Sequence, residues 1–109
     1  NLHDHYGDMS PVHSLNNLAV VIWAFLSFKD SFDEAIGETI CCGWDTDCTG
    51  ATVGGLIGLD KGSIPESWTD PWKGRVNTAI AGVGELKLED LVERTCKLVD
   101  QFSSESDMD

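Results

Sequence analysis

Apolar positions along the chain fall into helical intervals four times. From Leu15 to Phe28 the residues are apolar on every side, with "LAVVIWAFL" as the longest uninterrupted run. This pattern predicts a helix enclosed by other helices. Asn16 and Asn17 stand at its start, where either can cap the first turn. A second helix is expected from "SFDEA", where Ser31 and Glu34 have capping-box spacing. Its apolar residues Phe32, Ala35, Ile36 and Ile40 share a face, leaving Asp33, Glu34 and Glu38 toward water. A third helix is expected from about Thr49 to Asp60, ended by Gly62 after Lys61. Gly50, Gly54 and Gly58 recur in it every fourth residue, a smooth face that predicts close approach of another backbone. The last helix covers "LEDLVERTCKLVDQF", with Leu88, Leu91, Val92, Thr95, Val99 and Phe102 on one face.

The remaining segments carry turn signals. Residues 1–14 are polar, contain all three histidines, and read as an irregular leading segment. His3 and His5 flank Asp4 in a spacing that can suit a metal clip, but solvated histidines are the simpler reading. "SIPESW" predicts a short helical turn with Pro65 at its start, and Trp68 and Trp72 are expected to anchor the following loop. "RVNTAIAGVGE" is ambiguous between strand and loop, and "SSESDMD", residues 103–109, reads as a disordered acidic tail. The fold class expected is therefore all-α, an orthogonal multi-helix assembly with about four helices and no convincing strand. No internal repeat is present.

Composition narrows the function classes. The chain has 109 residues, a size suited to one domain with a modest core. Seven basic against 19 acidic residues give a net charge of −12, which repels phosphate backbones and disfavours nucleic-acid binding. The longest apolar run is far short of the roughly 20 residues that span a bilayer, so no membrane binding is expected. No cleavable signal is expected from its first residues. Cys41, Cys42, Cys48 and Cys96 match neither a disulfide framework nor a zinc ribbon. Reduced thiols in a cytoplasmic protein are the simpler expectation, with a disulfide left open.

The segment with chemistry is "DTDCTG". Asp45 and Asp47 are one residue apart, with the hydroxyl of Thr49 following at a glycine-rich bend. Two carboxylates and a hydroxyl make a hard oxygen donor set for Mg²⁺ or Ca²⁺. Close carboxylates repel unless a proton or a cation lies between them. Capping of the next helix by Asp47, with Asp45 holding the turn, accounts equally well for the spacing. An EF-hand does not: Asp45, Asp47, Thr49 and Gly50 imitate its first positions, but the twelfth is Leu56, not a glutamate.

"GWDTDCTGATVGGLIG" resembles the C-terminal metal motif of the ADP-ribosylglycohydrolase family, in which Gly-(Gly or Trp)-Asp-Thr-Asp precedes a glycine- and alanine-rich helix. Upstream, "VHSLNNLAVVIWAFLSFKDSFDEAI" is similar to the family's preceding helix pair; downstream, "SIPESW" and "LEDLVERT" are similar to its Pro-x-x-Trp turn and late helix. The likeness runs from about His13 to Thr95. It implies an all-α fold with a dinuclear Mg²⁺ centre, sometimes Mn²⁺ or Ca²⁺. Asp45 and Asp47 are then metal ligands, with Thr49 or Cys48 as weaker candidates for a third. Where the family often has a ligating threonine, this chain has Cys48, and a neutral thiol is a poor ligand for a hard cation. Trp44 is a candidate wall of the sugar pocket, though packing explains such a tryptophan as well.

The family's first metal motif, a Thr-Asp-Asp cluster, has no counterpart in residues 1–40. The expectation is accordingly a C-terminal segment of a larger helical domain, inactive without an N-terminal half. That half is the expected partner, and an ADP-ribosylated protein or a small ADP-ribose compound the expected substrate. The complete enzyme would hydrolyse the N- or O-glycosidic bond of an ADP-ribose adduct. The alternative is a non-catalytic, crystallin-like structural or binding relative of the same fold.

Overall fold

A computed structural model describes residues 1–106 and divides into two compact units, one covering Asn1–Pro65 and one beginning at Glu66. The first unit holds α1 (Leu2–Tyr6), α2 (Ser14–Phe28), α3 (Phe32–Cys41) and α4 (Thr46–Lys61). The second holds α5 (Glu66–Thr69), a 3₁₀ turn at Asp70–Trp72, β1 (Arg75–Asn77), β2 (Glu85–Lys87) and α6 (Leu88–Ser106). The architecture is all-α with one small antiparallel hairpin.

The core of the first unit lies where α2, α3 and α4 meet. Val21 and Ala24 of α2, Ala35 of α3, and Val53 and Ile57 of α4 are buried together. Alanines at 24 and 35 allow the helix axes to approach, and the larger Trp23, Phe25, Phe28, Phe32 and Ile36 close the edges. Trp23 and Phe28 meet edge-on, with ring centroids 5.4 Å apart at 82°. Polar groups within this core are paired. The Thr39 hydroxyl donates to the Ala35 carbonyl at 2.6 Å, and the Asn16 amide donates to the Ser10 carbonyl at 3.1 Å. Among the described residues no buried side-chain nitrogen or oxygen lacks a partner, as expected where an unpaired polar group costs ~1–3 kcal/mol.

The helix ends follow local chemistry, with informative departures. Ser31 caps α3 and its Oγ accepts from the Glu34 amide at 3.4 Å. The Ser31 amide donates to the Phe28 carbonyl at 2.9 Å, so the peptide of α2's end fills the other half of the expected capping box. Gly62 ends α4 in the left-handed region at φ 77°, as its position after Lys61 predicts. The cap of α2 is His13, not Asn16 or Asn17: its Nδ1 accepts from the Leu15 amide at 3.1 Å. The two asparagines sit one turn inside, where their amides tie α2 to residues 10–13.

Several expectations are corrected. The leading segment contains the short helix α1, capped by Asn1. α2 is not enclosed all round: Val20, Val21 and Ala24 are buried, but Leu15, Leu18, Ile22 and Leu26 on its other side are exposed. The smooth face of α4 meets side chains and not a backbone. A Cβ added at Gly50 would lie 3.0 Å from Ile40 Cδ1, and one at Gly54 would lie 3.5 Å from Ile36 Cδ1.

The second unit contains no fully buried residue among those described. Its ambiguous segment is a hairpin, with Val76 opposite Leu86 and Asn77 opposite Glu85. Gly82 and Gly84 adopt positive φ in the connection, which is why glycine there weakens a helix and permits a turn. Trp68 and Trp72 remain 38% and 47% exposed, so neither is an enclosed anchor. The apolar face of α6 includes Leu91, Val92, Val99 and Phe102, all exposed. α6 runs through Ser106, so residues 103–106 of the expected tail are helical; residues 107–109 of that tail lie outside the described residues. No helix among the described residues is long and apolar enough to cross a membrane.

Candidate metal centre

The acidic motif sits on the link between α3 and α4. α3 ends as the Cys42 amide reaches back to the Glu38 and Thr39 carbonyls, and the Gly43 amide donates to the Ile40 carbonyl at 3.1 Å. Gly43 and Trp44 then both take left-handed backbone, with φ of 75° and 62°. Glycine adopts this at no steric cost, whereas a side-chain residue gives up ~1–2 kcal/mol. Trp44 offsets part of that cost through its ring, which stacks on His3 of α1 at a centroid distance of 4.0 Å and 23°. His3 Nε2 lies 2.6 Å from the Cys42 carbonyl oxygen, fastening α1 to the same link. The histidine read as solvated is therefore a structural partner of the motif.

Two left-handed residues reverse the chain sharply enough for α4 to begin at once. It starts at Thr46, three residues earlier than the sequence pattern suggests, and Asp45 is its N-cap residue. The Asp45 carbonyl accepts the Thr49 amide at 3.0 Å, closing the first turn. The Asp45 carboxylate makes no capping bond to that turn. Its backbone satisfies the helix and its side chain is left for other work.

Asp45, Asp47 and Cys48 each offer a ligand atom, and these atoms lie within 4.8 Å of one another. Asp45 is half-buried; Asp47 and Cys48 are exposed. The hydrogen bond with the Asp45 carboxyl group holds the Asp47 carboxyl below the usual carboxylate range, assisted by the amides of Asp47 and Cys48. Asp47 is consequently ionised through the neutral range. The interactions that favour its charge fade as pH falls through its lowered pKa, so any cation held there is released toward acid. The Cys48 thiol is pushed up, first by its hydrogen bond to Asp45 and then by the charge of that carboxylate. It stays a neutral S–H donor, unsuited to Mg²⁺.

Thr49 does not join the cluster in the same way. It is only 2% exposed, and its hydroxyl donates back to the Asp45 carbonyl at 3.1 Å and the Thr46 carbonyl at 3.4 Å. Trp44 stands directly before Asp45 with one ring face covered by His3. An open cavity of about 310 Å³ lies beside the motif, lined by Asn17, Leu18, Val21, Cys48, Thr49 and Thr52 among others. All four cysteines are free thiols.

The state of Cys48 has a chemical readout. Alkylation by iodoacetamide at neutral pH is expected to be slower at Cys48 than at an exposed thiol of ordinary acidity, because the thiolate is the nucleophile. Asp45→Asn removes the charge that suppresses the thiolate and is expected to accelerate it. Site-resolved mass spectrometry measures both rates; an unchanged rate in Asp45→Asn would show that the carboxylate does not hold the thiol.

Two carboxylates brought together with few protein partners fit a hard divalent cation. A carboxylate pair that close is poorly stable at neutral pH without a proton or a positive charge between its members. Comparison with known proteins agrees with the motif: a family model described as ADP-ribosylglycohydrolase matches residues 3–106. No curated protein and no solved structure matches the chain. With nearly the whole described chain covered by that match, and the Gly-Trp-Asp-Thr-Asp link within it, the protein belongs to the ADP-ribosylglycohydrolase family.

Proposed function

We propose that this chain contributes one side of a divalent-cation centre, with Asp45 and Asp47 as its carboxylate donors. Mg²⁺ is the preferred ion, and Mn²⁺ or Ca²⁺ can replace it. The observation that carries the reading is the convergence of the two acidic side chains at the start of α4, where neither the Asp45 carboxylate nor the neutral thiol beside it acts as a cap. Mg²⁺ takes six oxygen donors in near-octahedral geometry. Two carboxylates and water leave room for donors from another segment, in keeping with a dinuclear centre completed by an N-terminal half.

The reaction proposed is hydrolysis of an N- or O-glycosidic bond in an ADP-ribose adduct, on a protein or a small molecule. A cation bound there would polarise a water or a sugar hydroxyl and favour an oxocarbenium-like transition state. The chain's own residues orient and hold. Asp45 and Asp47 fix the donor geometry from a rigid helix start, and Trp44 walls the sugar side. The Cys48 thiol lies beside these carboxylates and stays neutral. A reduced, cytoplasmic setting suits the four free thiols.

Titration with Mn²⁺, read as loss of the free-ion electron paramagnetic resonance signal, tests the cation reading. Saturable binding is expected, and a signal identical to the buffer blank would contradict it. The same 109-residue chain is expected to release no ADP-ribose from an ADP-ribosylated substrate, because the proton-transfer group and further donors are not among its converging residues. Turnover above that of an Asp45→Ala/Asp47→Ala control would overturn that part.

A further inference from the structure

Asn17 lies one turn into α2, yet its side chain reaches residues from two other parts of the first unit. Its Nδ2 donates to the Pro11 and His13 carbonyls, each at 2.8 Å. Its Oδ1 accepts from the backbone amide of Asp45 at 3.2 Å, across 28 residues of sequence. Pro11 and His13 carbonyl oxygens can only accept, so the amide has one workable orientation: Nδ2 toward them, Oδ1 toward Asp45.

The Asp45 amide needs such a partner. In a capping box, a Glu or Gln at the third helical position reaches back to the N-cap amide. In α4 that position is Cys48, whose thiol offers no comparable acceptor. Asn17 supplies from a different helix what the local sequence lacks. The remaining backbone bonds of Asp45 run through its carbonyl, to the Thr49 amide and hydroxyl. Both sides of the Asp45 peptide unit are thereby held while its carboxylate makes no capping bond to the helix.

We infer that Asn17 is a positioning residue: it sets the direction of the Asp45 carboxylate before a cation arrives, by clamping the Asp45 amide to the N-terminal turn of α2. The inference rests on Asp45 being a cation ligand. Partners that orient a ligand in this way are worth ~10–100-fold in metal affinity.

Asn17→Leu, which keeps bulk and removes every polar contact, is expected to weaken Mn²⁺ binding by about tenfold or more. The Asp45 amide is expected to exchange with solvent faster, as read by NMR. Val20→Ala, which loosens the same unit through a fully buried apolar side chain, is expected to lower the melting temperature and leave affinity unchanged. Should the leucine variant lose its helical signal, Asn17→Ser carries the same readouts, being too short to reach the Asp45 amide. Wild-type Mn²⁺ affinity in a folded Asn17 variant, with affinity lost in Asp45→Asn, would overturn the positioning role while leaving the ligand assignment intact. Wild-type affinity in Asp45→Asn as well would overturn both.

Discussion

Replacing both Asp45 and Asp47 with alanine is expected to abolish saturable Mn²⁺ binding while leaving the helical fold of the first unit in place. The two halves of this outcome have separate causes. An aspartate that caps a helix contributes ~1 kcal/mol through a bond to an amide of the first turn. The Asp45 carboxylate makes no such bond, so its loss removes little from α4. A cation, by contrast, loses both carboxylates of the cluster formed by Asp45, Asp47 and Cys48. Calorimetry or electron paramagnetic resonance gives the binding, and circular dichroism gives the fold. If the variant melted well below the wild-type protein and bound Mn²⁺ unchanged, the acids would be structural. A non-catalytic, crystallin-like role of the same fold would then be the better reading.

The second large effect concerns the scaffold. Val53→Asp is expected to unfold the first unit at room temperature. Val53 lies on α4 at zero exposure, packed with Val21, Ala24, Ala35 and Ile57 where three helices meet. Burial of a valine side chain is worth ~1.5–3 kcal/mol. An unpaired carboxylate in its place must be desolvated or protonated, which costs several kcal/mol more. Against a typical net stability of about 5–15 kcal/mol, a small unit does not absorb both losses. Loss of the cooperative thermal transition is the expected readout. A transition within a few degrees of wild type would mean that the α2–α3–α4 junction is not the core.

Much of this scaffold is legible from the residue pattern, and the exceptions share a physical cause. α2, α3, α4 and α6 each bury or present an apolar stripe at helical spacing, and Ser31 and Gly62 mark ends by local chemistry alone. Contacts between distant residues do not leave such a trace. The three-residue strands are too short to show alternation, and their pairing depends on the glycine turn between them. α1 is five residues long and polar, fastened by the His3 contacts to Trp44 and Cys42. α4 begins at Thr46 because two left-handed residues precede it. Threonine and aspartate are weak inside helices but well suited to a first turn. α2 is apolar all round, a pattern that reads as enclosure, yet one side is exposed; composition reports what a face can bury, not what covers it.

The same division applies to the acidic motif. Asp45 and Asp47 stand out because two carboxylates one residue apart either repel or share a charge. Thr49 and Cys48, both candidates by position, differ in ligand chemistry, but where each side chain goes is visible only in three dimensions. The threonine hydroxyl turns inward to the Asp45 carbonyl, whereas the thiol sulfur lies within 4.8 Å of carboxylate oxygens of Asp45 and Asp47. Neither Asn17 nor His3 carries a local signal of its role. Each acts across the fold, through one hydrogen bond or one stacked ring.

The most direct measurement of the central claim is an amide NMR spectrum recorded during substoichiometric addition of Mn²⁺. The paramagnetic ion broadens resonances near it and no others. Selective loss of the Asp45–Cys48 amides, with Asn17 Nδ2 next to fade and the amides at the Lys61 end of α4 still sharp, is the predicted result. Broadening at acidic residues elsewhere, or uniformly weak broadening over the chain, with the 45–48 signals still sharp, would contradict a cation site at Asp45 and Asp47.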